Sequence, residues 1–321
     1  MDIRKKVSII GAGNVGASAA QLIAFHGIAD VVLFDVVAGM PQGKALDLSE
    51  ACPLWNSSSE VLGTNDYADI KDSDIVVITA GIARKPGMSR DDLLNTNASV
   101  VRDVSKEVSR YCPEAAVIVV TNPMDVMAQL AWQTTAFPAE KVLGMGAILD
   151  SARFRTFVAR ACGVSPASVS AMTMGGHGDQ MVPLPRFSTV NGISVTDLLS
   201  EDAINAIVER TRNGGAEIVS LLKTGSAFYA PAASIFEMVR AIIFDEKKLL
   251  PATAYLDGQY GVKGTFAGVP VILGAKGIGK IVELKLNEEE KRAFLYSVDA
   301  VRNLVDRLNS PPEAADFRIN P

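Results

Sequence analysis

Six residues, Gly11-Ala12-Gly13-Asn14-Val15-Gly16, leave few folds open to this chain. They follow a β-branched run at residues 7–10, and small, apolar and helix-forming side chains continue over residues 14–27. A strand, a glycine-rich turn and a helix in that order make the phosphate-cradling unit of a dinucleotide-binding α/β fold. The first glycine permits the tight turn, the second lets a pyrophosphate approach the backbone, and the third lets the helix pack on the strand. The helix start then offers free N–H groups and the positive end of its dipole.

The motif alone is a weak signal, but its surroundings agree with it. A second apolar run at residues 31–34 ends in Asp35, 19 residues after Gly16. A carboxylate there accepts hydrogen bonds from the adenosine ribose hydroxyls and repels a 2′-phosphate. No Arg or Lys occupies residues 36–39, so the pattern favours NAD over NADP. The plain alternative for Asp35 is a surface carboxylate ending a strand.

Residues 74–80 and 115–120 are further continuous apolar runs, and residues 92–111 have a helical pattern. Strands of this kind separated by helices predict a parallel sheet covered on both faces. The second half differs. Residues 148–162, 201–222 and 228–244 are expected to be helical, residues 164–195 hold short β-like pieces, and residues 249–283 form short strands with many glycines. A last helix opens at Asn287 with Glu290 three residues on, a capping-box spacing. Its residues Phe294, Val298, Val301, Val305 and Leu308 make one apolar stripe. The expected class is α/β: an N-terminal Rossmann parallel sheet over residues 1–146, followed by an α+β substrate and catalytic domain over residues 147–321.

With 321 residues, 48 % of them hydrophobic, the chain can bury a core without staples. Its net charge of -5 argues against a nucleic-acid surface, and an anionic substrate must meet positive charge supplied locally. Cys52, Cys112 and Cys162 are odd in number and far apart, which suggests reduced buried thiols and no metal site. No stretch reaches the length of a membrane span, and the apolar run before Gly11 is too short for a signal peptide, so a cytoplasmic protein is expected.

Two histidines are present. His26 ends the first helical stretch, where a structural role is expected, and His177 sits in Gly175-Gly176-His177-Gly178-Asp179. Arg84 and Arg90 lie in a polar, Pro- and Gly-containing stretch after a sheet strand, and Arg153 lies near a helix start. By spacing alone all three are ordinary surface arginines.

The set GAGNVG, ITAGIARKPGMSR, VTNPMD, LDSARFR and GGHGD, in this order, closely resembles the lactate/malate dehydrogenase superfamily over nearly the whole chain. Within it the chain is similar to the lactate-dehydrogenase-like malate dehydrogenases. The resemblance implies that His177 is the general acid/base, that Asp150 orients it, and that Arg153 grips the substrate's C1 carboxylate. It implies that Arg90 polarises the carbonyl oxygen and that Asn122 bonds the same oxygen. The backbone near Val120 and the side chain of Asn97 would lie against NAD. A cation at Arg84 would suit a second carboxylate, which favours malate and oxaloacetate over lactate and pyruvate. The resemblance further implies a homo-oligomer, a tetramer before a dimer, and a place in the tricarboxylic acid cycle. The alternatives are an L-lactate dehydrogenase, an NAD-dependent glycosidase and a non-catalytic NAD-binding module.

Overall fold

The computed structural model describes residues 4–82 and 90–309, without the side chain of Arg90. The chain opens with β1 (Lys6–Ile10), α1 (Asn14–Phe25), β2 (Asp30–Phe34), α2 (Met40–Ala51), β3 (Val61–Thr64) and β4 (Ile75–Ile78). It continues with α3 (Arg90–Tyr111), β5 (Ala116–Val119), α4 (Met124–Thr135), β6 (Val142–Gly144) and α5 (Gly146–Cys162). Short strands β7 (Val169–Ser170), β8 (Thr173–Met174), β9 (Val182–Pro183), β10 (Thr189–Val190) and β11 (Ile193–Ser194) lead into α6 (Val195–Leu198). Next come α7 (Glu201–Leu222), α8 (Tyr229–Ile243), β12 (Lys248–Asp257), β13 (Lys263–Gly274), β14 (Gly277–Ile281) and α9 (Glu288–Asn309).

The strands β3, β2, β1, β4, β5 and β6 pair in that spatial order, all parallel. All four residues of both β4 and β5 are buried, as a sheet covered on both faces requires. From β1 the chain proceeds to β2 on one side and later to β4 on the other. A crevice therefore opens above the carboxyl ends of β1 and β4, where ligands bind in such sheets. The glycine-rich turn and residues 79–82 stand there.

The second half departs from the expectation of short strands. The strands β12 and β13 run for 10 and 12 residues and form a long antiparallel pair. They also join the same sheet, because Thr253 of β12 pairs antiparallel with Gly144 of β6. The glycines that suggested strand ends do other work. A Cβ on Gly268, inside β13, would lie 2.7 Å from the carbonyl oxygen of Gly175, so this glycine marks where the His177 turn crosses the strand.

Three further elements escaped the sequence reading. Nine residues of α4 are buried, so it has no polar face to reveal its period. The strands β3 and β6 are only four and three residues long. Helix α9 fits its reading: Asn287 Oδ1 accepts from Glu290 N and Glu290 Oε2 accepts from Asn287 N, both at 2.8 Å. Phe294, Val298, Val301 and Val305 are buried and Leu308 is half-buried. Cys52 and Cys112 are buried free thiols, while Cys162 is half-buried.

Candidate active site

The glycine-rich turn is built by close contacts. Gly11 has φ +114°, and a Cβ there would meet Thr79 Oγ1 at 2.6 Å. A Cβ on Gly16 would lie 1.9 Å from the carbonyl oxygen of Gly11, so α1 packs on the turn only with glycine there. Gly13 is the N-cap of α1 and makes no side-chain cap bond, leaving first-turn N–H groups for an anion. Nothing lies within 4 Å of the Cβ position of Gly13, and Gly13, Asn14, Val15 and Gly16 all line the cleft. This cradle fits the pyrophosphate of a dinucleotide.

Gly11 and Ala12 are buried beneath the turn. Asp35, half-buried at the end of β2, braces them: its Oδ2 accepts from Ala12 N at 2.7 Å and its Oδ1 from Val37 N at 3.0 Å. The sequence reading passed over Lys44 of α2, whose Nζ donates to the Ala12 carbonyl at 2.6 Å. Lys44 lies nine residues after Asp35, outside residues 36–39.

Val120 and Asn122 line the same cleft. Asn97 was expected against the cofactor, but its side chain is buried at 1 % exposure. Its amide accepts from Ile82 N at 2.8 Å and donates to Ile82 O at 3.1 Å and Asn122 O at 2.7 Å. An amide spent on three main-chain groups supports the cleft wall from behind.

His177 sits in the turn between β8 and β9, with Gly175 at φ +83° and Gly178 at φ +127° on either side. Its Nδ1 is 2.8 Å from Asp150 Oδ2. A carboxylate only accepts, so Nδ1 carries the proton and Nε2 is left for a reacting group. Asp150, 2 % exposed on α5, also accepts at Oδ1 from Arg153 Nη1 at 3.0 Å, one helical turn on. Burial lowers the pKa of His177, but the charge and hydrogen bond of Asp150 raise it more, and with Arg153 lowering and Asp125 raising, the net direction is up.

The His177 turn is pinned from three sides. Asp125 of α4, fully enclosed, accepts His177 N at Oδ2 (2.7 Å) and the Thr253 hydroxyl at Oδ1 (2.9 Å). Ser297 of α9 accepts from Gly176 N at 2.8 Å, and Gly175 and Gly268 exchange main-chain bonds at 2.9 Å. Burial pushes the Asp125 carboxyl up. Asp125 lies in the VTNPMD segment, yet its role was not read, because its partners stand 52 and 128 residues away.

Arg153 lies against Gly214 and Gly215 of α7, where a Cβ would stand 3.3 Å from its Cδ and 3.6 Å from its Nη2. Its Nε is buried with no hydrogen-bond partner among the described residues. Arg212, also unread in the sequence, donates from Nε to Met181 O at 3.2 Å. Arg212, Gly215, Ala216 and Val219 present one face of α7 to the cleft, whose volume is about 640 Å³. Arg84 and the side chain of Arg90 lie outside the described residues. His26, away from this cleft, caps α1 and stacks on Phe236 at 4.6 Å. Among the described residues, no group of three or more His, Cys, Asp or Glu could hold a metal ion, and no helix is long and apolar enough to cross a membrane.

Residues 5–144 match the lactate/malate dehydrogenase NAD binding domain, and residues 147–310 match the lactate/malate dehydrogenase alpha/beta C-terminal domain. The chain is 53 % identical over 302 residues to a malate dehydrogenase of Heliobacterium modesticaldum, covering 94 % of this chain and 98 % of that one. It is 54 % identical over 306 residues to one of Desulforudis audaxviator, covering 95 % and 99 %. Among solved structures, it is similar to Cryptosporidium parvum malate dehydrogenase, with 47 % identity, a TM-score of 0.94, and coverage of 96 % and 100 %. A lactate dehydrogenase from the same organism, complexed with lactic acid and nicotinamide adenine dinucleotide, has 42 % identity, the same TM-score, and coverage of 97 % and 100 %.

Proposed function

The chain belongs to the lactate/malate dehydrogenase family, and from that premise we propose how its site carries out NAD-dependent interconversion of malate and oxaloacetate. One observation carries the reading. Asp150 holds His177 with one oxygen and Nη1 of Arg153 with the other, so the imidazole and the guanidinium stand side by side and both line the cleft. A substrate carboxylate in the cleft meets the remaining donors of this planar guanidinium, whose geometry suits two parallel bonds.

NAD, when bound, accepts or returns the hydride. Residues 1–146 would hold it, with Gly13 to Gly16 at the phosphates, Asp35 at the adenosine ribose, and Val120 and Asn122 toward the other end. The proton transfer and the C1 carboxylate grip belong to residues 147–321, and Asn122, Arg90 and Arg84 reach the substrate from residues 1–146. With Arg153 fixing the C1 carboxylate, the hydroxyl proton of malate goes to Nε2 of His177. Asp150 steadies the imidazolium that forms, and in reduction His177 returns the proton. Asn122 and Arg90 bond the reacting oxygen, and Arg84 reads the second carboxylate.

Relatives named malate dehydrogenase exceed 50 % identity, whereas the fold matches malate and lactate dehydrogenases equally well. Substrate choice therefore rests on side chains. NADH oxidation measured with oxaloacetate and pyruvate side by side tests it, and faster turnover of pyruvate would make this a lactate dehydrogenase. A cytoplasmic homo-oligomer in the tricarboxylic acid cycle, tetrameric before dimeric, completes the proposal. The support for self-association is Leu46 and Leu54, 62 % and 87 % exposed on and just after α2, and sedimentation velocity tests it.

A further inference from the structure

Lys44 and Asp35 hold opposite ends of one residue. The carboxylate takes the N–H of Ala12 at 2.7 Å, and the ammonium takes its C=O at 2.6 Å. The placement of Lys44 is constrained by packing. Helix α2 starts at Gly39 in the left-handed region and lies so close to β3 that a Cβ on Gly63 would meet the Pro41 carbonyl oxygen at 2.2 Å. Half-buried Lys44 thus reaches the turn from a helix held at a set distance.

A trans peptide is planar, with its C=O and N–H pointing in opposite directions. The Ala12–Gly13 bond is trans. Drawing the Ala12 carbonyl toward Lys44 therefore turns the Gly13 N–H away from α2. Gly13 lines the cleft, and the space at its Cβ position is open. We propose that Lys44 is a positioning residue for the cofactor: it sets the Ala12–Gly13 peptide plane so that the Gly13 N–H is presented to the pyrophosphate.

The proposal rests on NAD occupying the turn, and it assigns Lys44 to the phosphates, leaving the adenosine to Asp35. Probes that differ in phosphate content separate these roles. NADH binding is followed by its fluorescence, and ADP-ribose and adenosine by competition, for the wild type and for Lys44→Met, Lys44→Gln and Lys44→Arg. Lys44→Met should weaken NADH and ADP-ribose by about tenfold, a change one charge-assisted hydrogen bond can produce. Adenosine should change less than about twofold on the same grounds. Lys44→Gln, which keeps a donor without charge, should fall between, and Lys44→Arg should recover most of the loss. KM for NADH should rise with kcat held. Unchanged NADH affinity in Lys44→Met and Lys44→Gln overturns the assignment, as does an equal loss for adenosine. Failure of the wild type to bind NADH would instead sink the cofactor reading itself.

Discussion

Replacing Asp150 with Asn tests the centre of the site, because its two oxygens already serve two donors. Oδ2 accepts from His177 at 2.8 Å and Oδ1 from Arg153 at 3.0 Å. An amide has one oxygen. The guanidinium cannot surrender its protons, so it retains that oxygen, and the amide NH₂ turns to His177. Nδ1 must then accept, which moves the ring proton to Nε2, the nitrogen that receives the hydroxyl proton of malate. The charge also disappears. Unit charges about 4 Å apart at an effective dielectric of about 20 interact by roughly 4 kcal/mol, nearly three pKa units at about 1.36 kcal/mol each. Burial and Arg153 lower the His177 pKa, and Asp150 is the main influence that raises it. Without it the midpoint should fall by at least about one unit, allowing for relaxation of the site.

Malate oxidation needs His177 deprotonated and rises with pH through its pKa. Oxaloacetate reduction needs it protonated and falls across the same range. The assay is kcat/KM against pH in both directions for wild type and variant, with NADH affinity as the control for folding. Asp150→Asn should lose about 10² to 10⁴ in rate, the usual worth of acid–base catalysis. A variant that binds NADH, keeps more than about a tenth of the activity and shows the wild-type midpoint would refute the shared-carboxylate argument.

Three further outcomes are expected. Asp35→Ser removes the charge that repels a 2′-phosphate, so the ratio of NADH to NADPH affinity should fall at least about tenfold, and an unchanged ratio would move cofactor selection elsewhere. Asp125 has a folded-state pKa raised by burial. Its contribution to stability is therefore full below about pH 4, its unfolded value, and is lost as pH rises through the folded one. Asp125→Asn should consequently compare better with the wild type in urea midpoints at neutral pH than near pH 4, and the opposite trend would reverse the sign of the shift. Arg84→Gln should cut the oxaloacetate-over-pyruvate ratio of kcat/KM by at least about a hundredfold, while Arg153→Gln should slow both substrates, since both carry the C1 carboxylate. Equal slowing by Arg84→Gln would remove Arg84 from substrate selection.

The parts of this protein written in its sequence are those whose physics is local. Gly11 and Gly16 announce a turn because Gly11 takes φ +114°, which L side chains rarely adopt, and a Cβ on Gly16 would meet the Gly11 carbonyl oxygen five residues back. The Asn287–Glu290 cap and the α9 stripe follow from one helical period. His177 and Asp150, 27 residues apart, were paired through resemblance to a family, since no spacing rule joins them.

What tertiary structure decided lies across long separations. Glycines in residues 249–283 suggested interruptions, but the hairpin partner and the crossing Gly175 turn made continuous strands of them. Asn97, expected against the cofactor, also braces the cleft wall, because main-chain groups of Ile82 and Asn122 claim its amide. Lys44 and Asp125 had no signature at all. A lysine on a helix or an aspartate in a first turn is ordinary by propensity, and only packing α2 beside the glycine turn and α4 beneath His177 gave each its partner. Backbone preferences act over a few residues, whereas the partner of a side chain depends on which elements share a core.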